Sequence, residues 1–156
     1  EQNMHGRQLH TDIHGYFLED LEVGMEAVFA KTITEADIVM FSGVTGDMNP
    51  VHVNDVFAKS TMFEGRIAHG MLTGSLISTV LGMKLPGPGC IYISQSLKFL
   101  APVRAGDTAE VHAVITEIIP EKRRIVMKTT VHVGDTLVVD GEAKMMVRSR
   151  QDSGGD

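Results

Sequence analysis

Residues 71–85 read MLTGSLISTVLGMKL, and the helix that they predict carries apolar or small side chains on nearly every face. A helix of this kind has to be covered by protein on most of its sides. Gly74 and Gly82 each cost roughly 1 kcal/mol in a helix interior, which predicts that another element packs closely against them. The sequence PGPG at residues 86–89 ends the helix. We therefore expect residues 71–85 to form the central helix of the fold.

Four segments that alternate between apolar and polar side chains follow this helix. In residues 124–133 the odd positions form a mainly apolar face and the even positions a mainly polar one, which is the pattern of a strand with one wet face. One buried helix followed by antiparallel strands with short loops predicts an α+β fold, in which a curved antiparallel sheet wraps around the helix. The four segments are residues 91–100, 110–119, 124–133 and 137–147.

The part of the chain before the central helix predicts one strand and two helices. Residues 25–32 are typical of a short strand. Thr34 can cap the helix-like stretch that follows, with Asp37 in the place of the usual Glu or Gln of a capping box. Residues 45–65 are mostly connection, with room for a short helix at 55–60.

Length and composition indicate a single globular domain. The chain has 156 residues, of which 43% are apolar and 22% charged, and this is the usual balance of a folded domain. We expect the domain at residues 18–150, between a polar N-terminal tail at 1–17 and a disordered C-terminal tail at 151–156.

Charge and cysteine content exclude several classes of function. The net charge of −6 disfavours binding to nucleic acid, which needs a clustered excess of Lys and Arg. No apolar stretch is long enough to cross a membrane. Cys90 is the only cysteine, so no intrachain disulfide can form, and a reducing compartment such as the cytoplasm suits the chain. His10 and His14 have the spacing of a helical metal pair, but no third ligand accompanies them, and we expect neither a metal nor a cofactor.

Residues 41–52, FSGVTGDMNPVH, concentrate the polar chemistry of the chain. Asp47 and His52 are five residues apart, which on an ideal helix would place their side chains about 140° from each other. Pro50 disfavours helix at Asn49, and Gly46 allows an unusual backbone angle, so the chain should turn here. A turn can bring the two side chains to one point. The same residues are also the ordinary residues of a polar turn without catalytic purpose.

The motif GDMNPVH, with Phe41 upstream and Ala58 downstream, resembles the hydratase motif of the MaoC-like dehydratases, the (R)-specific enoyl-CoA hydratases. The resemblance continues through RIAHGMLTGSLIS at residues 66–78 and PGPGCIYISQSLKFLAPVRAGD at 86–107, and it extends over residues 18–147. It implies a hot-dog fold, in which an antiparallel sheet wraps a long central helix. It also implies a homodimer, or a higher homo-oligomer built from it, with the two sheets joined into one.

The resemblance also implies roles for five residues. It places the catalytic pair on Asp47 and His52, with Asn49 holding the pair in position. Gly70 matches the residue whose backbone N–H polarises the thioester carbonyl, and Ser78 matches a serine that hydrogen-bonds near the site. The implied reaction is syn addition of water to a trans-2-enoyl-CoA, which gives an (R)-3-hydroxyacyl-CoA. Either Asp47 or His52 could be the base that accepts the proton of the water.

Two other functions fit the same fold: an acyl-CoA thioesterase and a noncatalytic acyl-CoA-binding module. His69 and the buried amide of Gln95 are interpreted as structural residues. The phosphates of CoA could meet a basic side chain, but the sequence does not choose among the candidates. These are Lys59, Arg66, Lys98 and Arg104. Five methionines are interpreted as filling the core, namely Met71, Met83, Met127, Met145 and Met146.

Overall fold

The computed structural model of the protein describes residues 13–154, and the outer parts of both predicted tails, residues 1–12 and 155–156, lie outside them. The described chain contains six strands and four α-helices. The strands are β1 (Glu26–Thr32), β2 (Ile91–Gln95), β3 (Lys98–Phe99), β4 (Thr108–Ile119), β5 (Arg124–Val133) and β6 (Thr136–Met146). The helices are α1 (Glu35–Thr45), α2 (Pro50–Val53), α3 (Asp55–Lys59) and α4 (Gly70–Met83).

The strands form one antiparallel sheet in the order β1-β4-β5-β6-β2, and β3 also pairs with β6. The register places Val111 of β4 opposite Val131 of β5, and Met127 of β5 opposite Ala143 of β6. These four side chains are fully buried. Since side chains alternate between the two faces of a strand, the matched register gives the sheet one continuous apolar face.

Helix α4 packs on this apolar face, against β1, β4 and β5. Four of its side chains, Leu76, Ile77, Val80 and Leu81, are at most 7% exposed and belong to the core. This is the predicted arrangement of a sheet around a central helix, and the architecture is the α+β hot-dog fold.

The helix α1 begins at the capping box predicted from the sequence. The Thr34 hydroxyl oxygen accepts from the Asp37 amide at 3.1 Å, and the Thr34 amide donates to the Asp37 carboxylate at 2.9 Å. That second bond lowers the pKa of the Asp37 carboxyl, because it stabilises the charged form. Asp37 can therefore take the place of the usual Glu or Gln.

The predicted strand at 91–100 is broken in two. β2 ends at Gln95 and β3 begins at Lys98, with a bulge between Tyr92 and Ser94. The expected apolar face of this strand is uncovered among residues 13–154: Ile91 is 50% exposed and Ile93 is 46% exposed. β2 is an edge strand that pairs with β6 on one side only.

The two helix glycines differ in their surroundings. A methyl group at Gly74 would lie 3.0 Å from Leu97 Cδ1, so the predicted close packing is confirmed there. At Gly82 nothing lies within 4 Å, and the prediction of a close neighbour is wrong for the described chain. The methionine interpretation is likewise mixed: Met127 and Met145 are buried, whereas Met71 and Met83 are 57% and 69% exposed.

The described parts of the predicted tails contact the domain. The amides of Gly15 and Tyr16 donate to the carbonyls of Pro88 and Pro86, both at 2.8 Å. Residues Arg150–Gly154, within and beside the expected disordered tail, form a short 3-10 helix. The domain limits at 18 and 150 stay a prediction. No helix among residues 13–154 has the length and apolar character that a membrane crossing needs.

The contrast between the two glycines predicts opposite responses to alanine. Gly82→Ala should raise the free energy of unfolding by up to about 1 kcal/mol, because alanine is the better helix former and the site is open. Gly74→Ala should gain nothing or lose stability, because the new methyl group meets Leu97. Urea unfolding of both variants measures the difference, and a destabilised Gly82→Ala would contradict the open surface at that position.

Candidate active site

The turn between α1 and α2 places Asp47. Gly46 ends α1 with φ of 79°, in the left-handed region that favours glycine. Asp47 Oδ1 accepts a hydrogen bond from the main-chain N–H of Asn49 at 3.1 Å. The side-chain Oδ1 of Asn49 accepts one from the main-chain N–H of Val51 at 3.2 Å. Pro50 occupies the first turn of α2, where its missing N–H costs nothing. Asn49 is thus the N-cap of α2, and within residues 13–154 Asp47 Oδ2 has no hydrogen-bond partner.

His52 is 7% exposed and held by one short hydrogen bond. Its Nδ1 lies 2.7 Å from the main-chain oxygen of Ile67. A carbonyl oxygen can only accept, so Nδ1 carries the proton, and in the neutral ring Nε2 is left with a free lone pair. The ring is therefore set up to accept a hydrogen bond through Nε2.

His69 occupies the N-cap position of α4 and is 2% exposed. Its Nε2 lies 3.1 Å from Ser42 Oγ and 3.1 Å from the main-chain oxygen of Asp47. The ring stacks on His52 with centroids 3.9 Å apart and an interplanar angle of 29°, and Phe41 packs against it at 4.9 Å. It is the contact point between the turn, α1 and α4.

The structure brings together one ligand-type atom each of Asp47, His52 and His69, all within 4.8 Å of one another. The predicted convergence of Asp47 and His52 is therefore present. His69 was interpreted from the sequence as a hydrogen-bonded structural residue beside the proposed N–H donor, and it is buried and hydrogen-bonded. Its contribution of a ligand-type atom to the same cluster was not predicted; the signal for its proximity is its position directly before Gly70 at the start of the central helix.

The cluster is of the type that binds metals, but its geometry is poor for one. Lone pairs of imidazole nitrogens lie in the ring planes, and the two rings are stacked with centroids 3.9 Å apart and 29° between their planes. An ion about 2.0–2.1 Å from one nitrogen and in its ring plane would lie far out of the other plane. The free lone pair of His52 and the free oxygen of Asp47 are better suited to hydrogen bonds from a water molecule.

These residues open into a cavity of about 500 Å³. Its walls are mainly apolar, as in sites that bind small molecules. One polar exception is Thr73, which is 1% exposed and whose hydroxyl has no hydrogen-bond partner within residues 13–154. The apolar lining includes Met71, Phe99, Leu100, Val138 and Val139.

Gly70 lines the cavity at the start of α4. A methyl group added there would lie 2.8 Å from Cδ1 of Phe99, so the aromatic ring rests directly on the glycine. The first N–H groups of a helix have no partner within the helix and carry partial positive charge. The start of α4 therefore offers a donor for a developing oxyanion beside Asp47 and His52.

The structure does not bring Ser78 to this cavity. Ser78 is exposed, and it follows Gly70 by eight residues, which corresponds to about 12 Å along a helix. The amide of Gln95 donates to Thr129 Oγ1 and to the main-chain oxygen of Ser96, both at 2.9 Å, in agreement with a structural role.

Two of the four basic candidates are already occupied. Arg66 forms ion pairs with Glu35 at 2.8 Å and Asp55 at 2.6 Å. Arg104 donates to the main-chain oxygens of Phe63 and Arg66. Lys59 and Lys98 are exposed, and within residues 13–154 neither forms an ion pair.

Residues 20–137 match the family described as the MaoC like domain. The chain is 49% identical over 139 residues to an (R)-specific enoyl-CoA hydratase from Rhodospirillum rubrum, across 89% of this chain and 96% of that protein. It is 50% identical over 137 residues to a 3-hydroxybutyryl-CoA dehydratase from Methylorubrum extorquens, across 88% and 87% of the two chains.

Solved structures agree with these relatives. The R-hydratase PhaJ1 from Pseudomonas aeruginosa superposes with a TM-score of 0.82 at 43% identity, over 87% of this chain and 88% of that one. The (R)-hydratase from A. caviae gives a TM-score of 0.80 at 38% identity, over 83% and 98%. Sequence and fold match over nearly the whole domain, and the chain belongs to the MaoC-like domain family.

Proposed function

We propose that the protein catalyses the reversible, (R)-specific hydration of a trans-2-enoyl-CoA to an (R)-3-hydroxyacyl-CoA. The observation that carries the proposal is the convergence of Asp47 and His52 at a mainly apolar cavity that begins at the start of α4. The names of the relatives from R. rubrum and M. extorquens support the same reaction. The (R) configuration rests on the name of the R. rubrum relative.

In the proposed mechanism one water molecule donates two hydrogen bonds, one to Asp47 Oδ2 and one to His52 Nε2. One of the two groups takes a proton as the water oxygen forms a bond to C3 of the substrate. The electrons of the C2=C3 double bond move onto the thioester oxygen. When this enolate collapses, C2 receives, on the same face, the proton that the group has just taken from the water, and the pair returns to its starting state. Positioned groups of this kind typically contribute about 10²- to 10⁴-fold each.

The charge that develops on the thioester oxygen needs a donor, and the Gly70 N–H is the proposed one. Preorganised backbone donors at a helix start stabilise such an oxyanion without reorganisation. The ring of Phe99 rests on Gly70 and lines the cavity, so it would border the bound thioester. The apolar walls would take the acyl chain.

A homodimer through β2 is part of the proposal. This edge strand carries Ile91, Tyr92 and Ile93, which are 38–50% exposed, and an uncovered apolar edge strand is a site for pairing with another chain. Pairing of β2 with the same strand of a second copy would join the two sheets. The free thiol of Cys90 agrees with a reducing compartment such as the cytoplasm.

Substitution of either member of the catalytic pair should greatly slow the turnover of crotonyl-CoA without unfolding the protein. Asp47→Asn and His52→Ala should each lower kcat by at least about 100-fold, because each removes a group that handles a proton. Loss of enoyl absorbance measures the rate. Asp135→Asn, in the turn between β5 and β6, and His112→Ala, on β4, lie away from the cavity and serve as matched controls.

The same assay separates the proposed reaction from the two other functions. Hydration consumes the enoyl absorbance without releasing free thiol, whereas a thioesterase releases thiol and a binding module does neither. Chiral analysis of the product should give the (R) enantiomer. Near wild-type turnover in Asp47→Asn or His52→Ala would refute the assignment of the pair.

The contact between Gly70 and Phe99 predicts that the effect on kcat/KM of substituting Gly70 depends on the side chain at position 99. Gly70→Ala should lower kcat/KM for crotonyl-CoA by about tenfold, because the new methyl group displaces the ring from the cavity wall. In a Phe99→Ala background the same substitution should cost little, since nothing remains to be displaced. The values of kcat/KM for the wild-type protein, the two single variants and the double variant form a double-mutant cycle. Gly43→Ala, at a helical glycine with open surroundings, is the control. An equal cost in both backgrounds would show that the ring is not the cause.

If β2 forms the dimer interface, a charged side chain on this strand should separate the two subunits. Ile93→Glu should convert the dimer to a monomer, because a buried charge at the centre of the joined strands would have no partner. Light scattering after size exclusion measures the mass. As a control, Val56→Glu should leave the mass unchanged, because Val56 lies on α3 and is 84% exposed. A monomeric wild-type protein would refute the dimer.

A further inference from the structure

His69 touches both members of the proposed catalytic pair, although the mechanism gives it no proton to carry. The residue is nearly completely buried at the start of α4. Through its two contacts it links the turn that holds Asp47, the ring of His52 and the helix that offers the Gly70 N–H.

The first contact is made by Nε2. It lies 3.1 Å from the main-chain oxygen of Asp47, and because that oxygen can only accept, Nε2 carries the hydrogen. The Ser42 hydroxyl, also at 3.1 Å, shares this donor. The bond ties the turn to the beginning of α4. One side chain therefore sets the distance between the Asp47 carboxylate and the Gly70 N–H.

The second contact is the stacking of the His69 ring on His52 at 3.9 Å. The Ile67 main-chain oxygen holds His52 within the plane of its ring, through the 2.7 Å bond to Nδ1. His69 blocks movement out of that plane. The direction of the free Nε2 lone pair of His52 is then determined by both neighbours.

Packing alone does not explain a histidine at position 69. With the proton on Nε2, its Nδ1 is a buried acceptor that has no partner within residues 13–154. A buried polar atom without a partner is unfavourable, and a phenylalanine would give the same ring contacts without it. The polar ring is accounted for by the two hydrogen bonds of Nε2.

We propose that His69 is a positioning residue for the reaction. It orients Asp47 through the Nε2–H bond to the main chain and orients His52 by stacking. The inference rests on the proposed function, because it assumes that Asp47 and His52 handle the water.

Substitution of His69 by glutamine or by asparagine distinguishes the role of Nε2 from that of Nδ1. In His69→Gln the amide nitrogen reaches the position of Nε2 and can still donate to Asp47, whereas in His69→Asn the shorter side chain reaches only the position of Nδ1. Both remove the ring, so the loss of stacking on His52 is common to the two variants, and circular dichroism of each checks that the fold is kept. We expect kcat to fall by no more than about tenfold in His69→Gln and by about 100-fold in His69→Asn. KM for crotonyl-CoA should stay within about threefold in both. Equal kcat values, or a loss confined to KM, would overturn the inference.

Nitrogen NMR of the wild-type protein tests the inference without any substitution. In protein labelled with ¹⁵N at histidine, the inference requires the neutral Nε2–H tautomer for His69 and the structure the Nδ1–H tautomer for His52. A neutral His69 with the proton on Nδ1 could not donate to the Asp47 carbonyl, and this result would overturn the inference even if the variants failed to fold.

The two proposals fail in different ways. If Asp47→Asn and His52→Ala keep wild-type turnover, the proposed function is refuted, whatever the tautomer of His69. If these variants are inactive while His69→Gln and His69→Asn are equally slow, only the positioning role is refuted.

Discussion

The burial of α4 against the curved sheet is the constraint on which the site depends, because it determines where the helix begins. Leu76, Ile77, Val80 and Leu81 lie in the core, and full burial of such side chains contributes roughly 1.5–3 kcal/mol each. With the helix held along its length, its first residue cannot shift relative to the sheet. The donor at the start of α4 is thereby placed by packing that is remote from it.

The segment between β1 and α4 carries the other half of the site and has little core of its own. Arginines connect its pieces instead: Arg66 pairs with Glu35 of α1 and with Asp55 of α3, and Arg104 binds the main chain at Phe63. Exposed ion pairs contribute little individually, so the network is better understood as fixing geometry than as supplying stability. Arg66 and Arg104, two of the four candidates for binding CoA phosphates, therefore hold parts of the protein together.

Local signals in the sequence were reliable where the interaction itself is local. The Thr34–Asp37 capping box and the turn at Gly46 and Pro50 involve residues within a few positions of one another, and both are present. The alternation in residues 124–133 also predicted the buried face of β5, since Ile125, Met127 and Val131 are all buried. Their physical causes, backbone geometry and the period of a strand, can be read from neighbouring residues.

Other predictions failed because neighbours distant in sequence decide them. The apolar pattern of residues 91–100 does not reveal that this strand is at an edge, where its side chains stay uncovered in the described chain. Gly74 and Gly82 look alike in the sequence, yet only Gly74 is approached by Leu97. Met71 was assigned to the core and instead lines the cavity.

By itself the sequence determined the α+β architecture, the central helix and the turn after α1, which holds Asp47 and leads into α2 with His52. Only the tertiary structure decided that His69 joins this pair and that Ser78 lies away from the cavity. The contacts of His69 reach Asp47 across 22 residues and Ser42 across 27, and no local periodicity encodes them. They exist because the packing of α4 on the sheet brings the start of the helix to the turn, and only there can one ring bond to Asp47 and stack on His52.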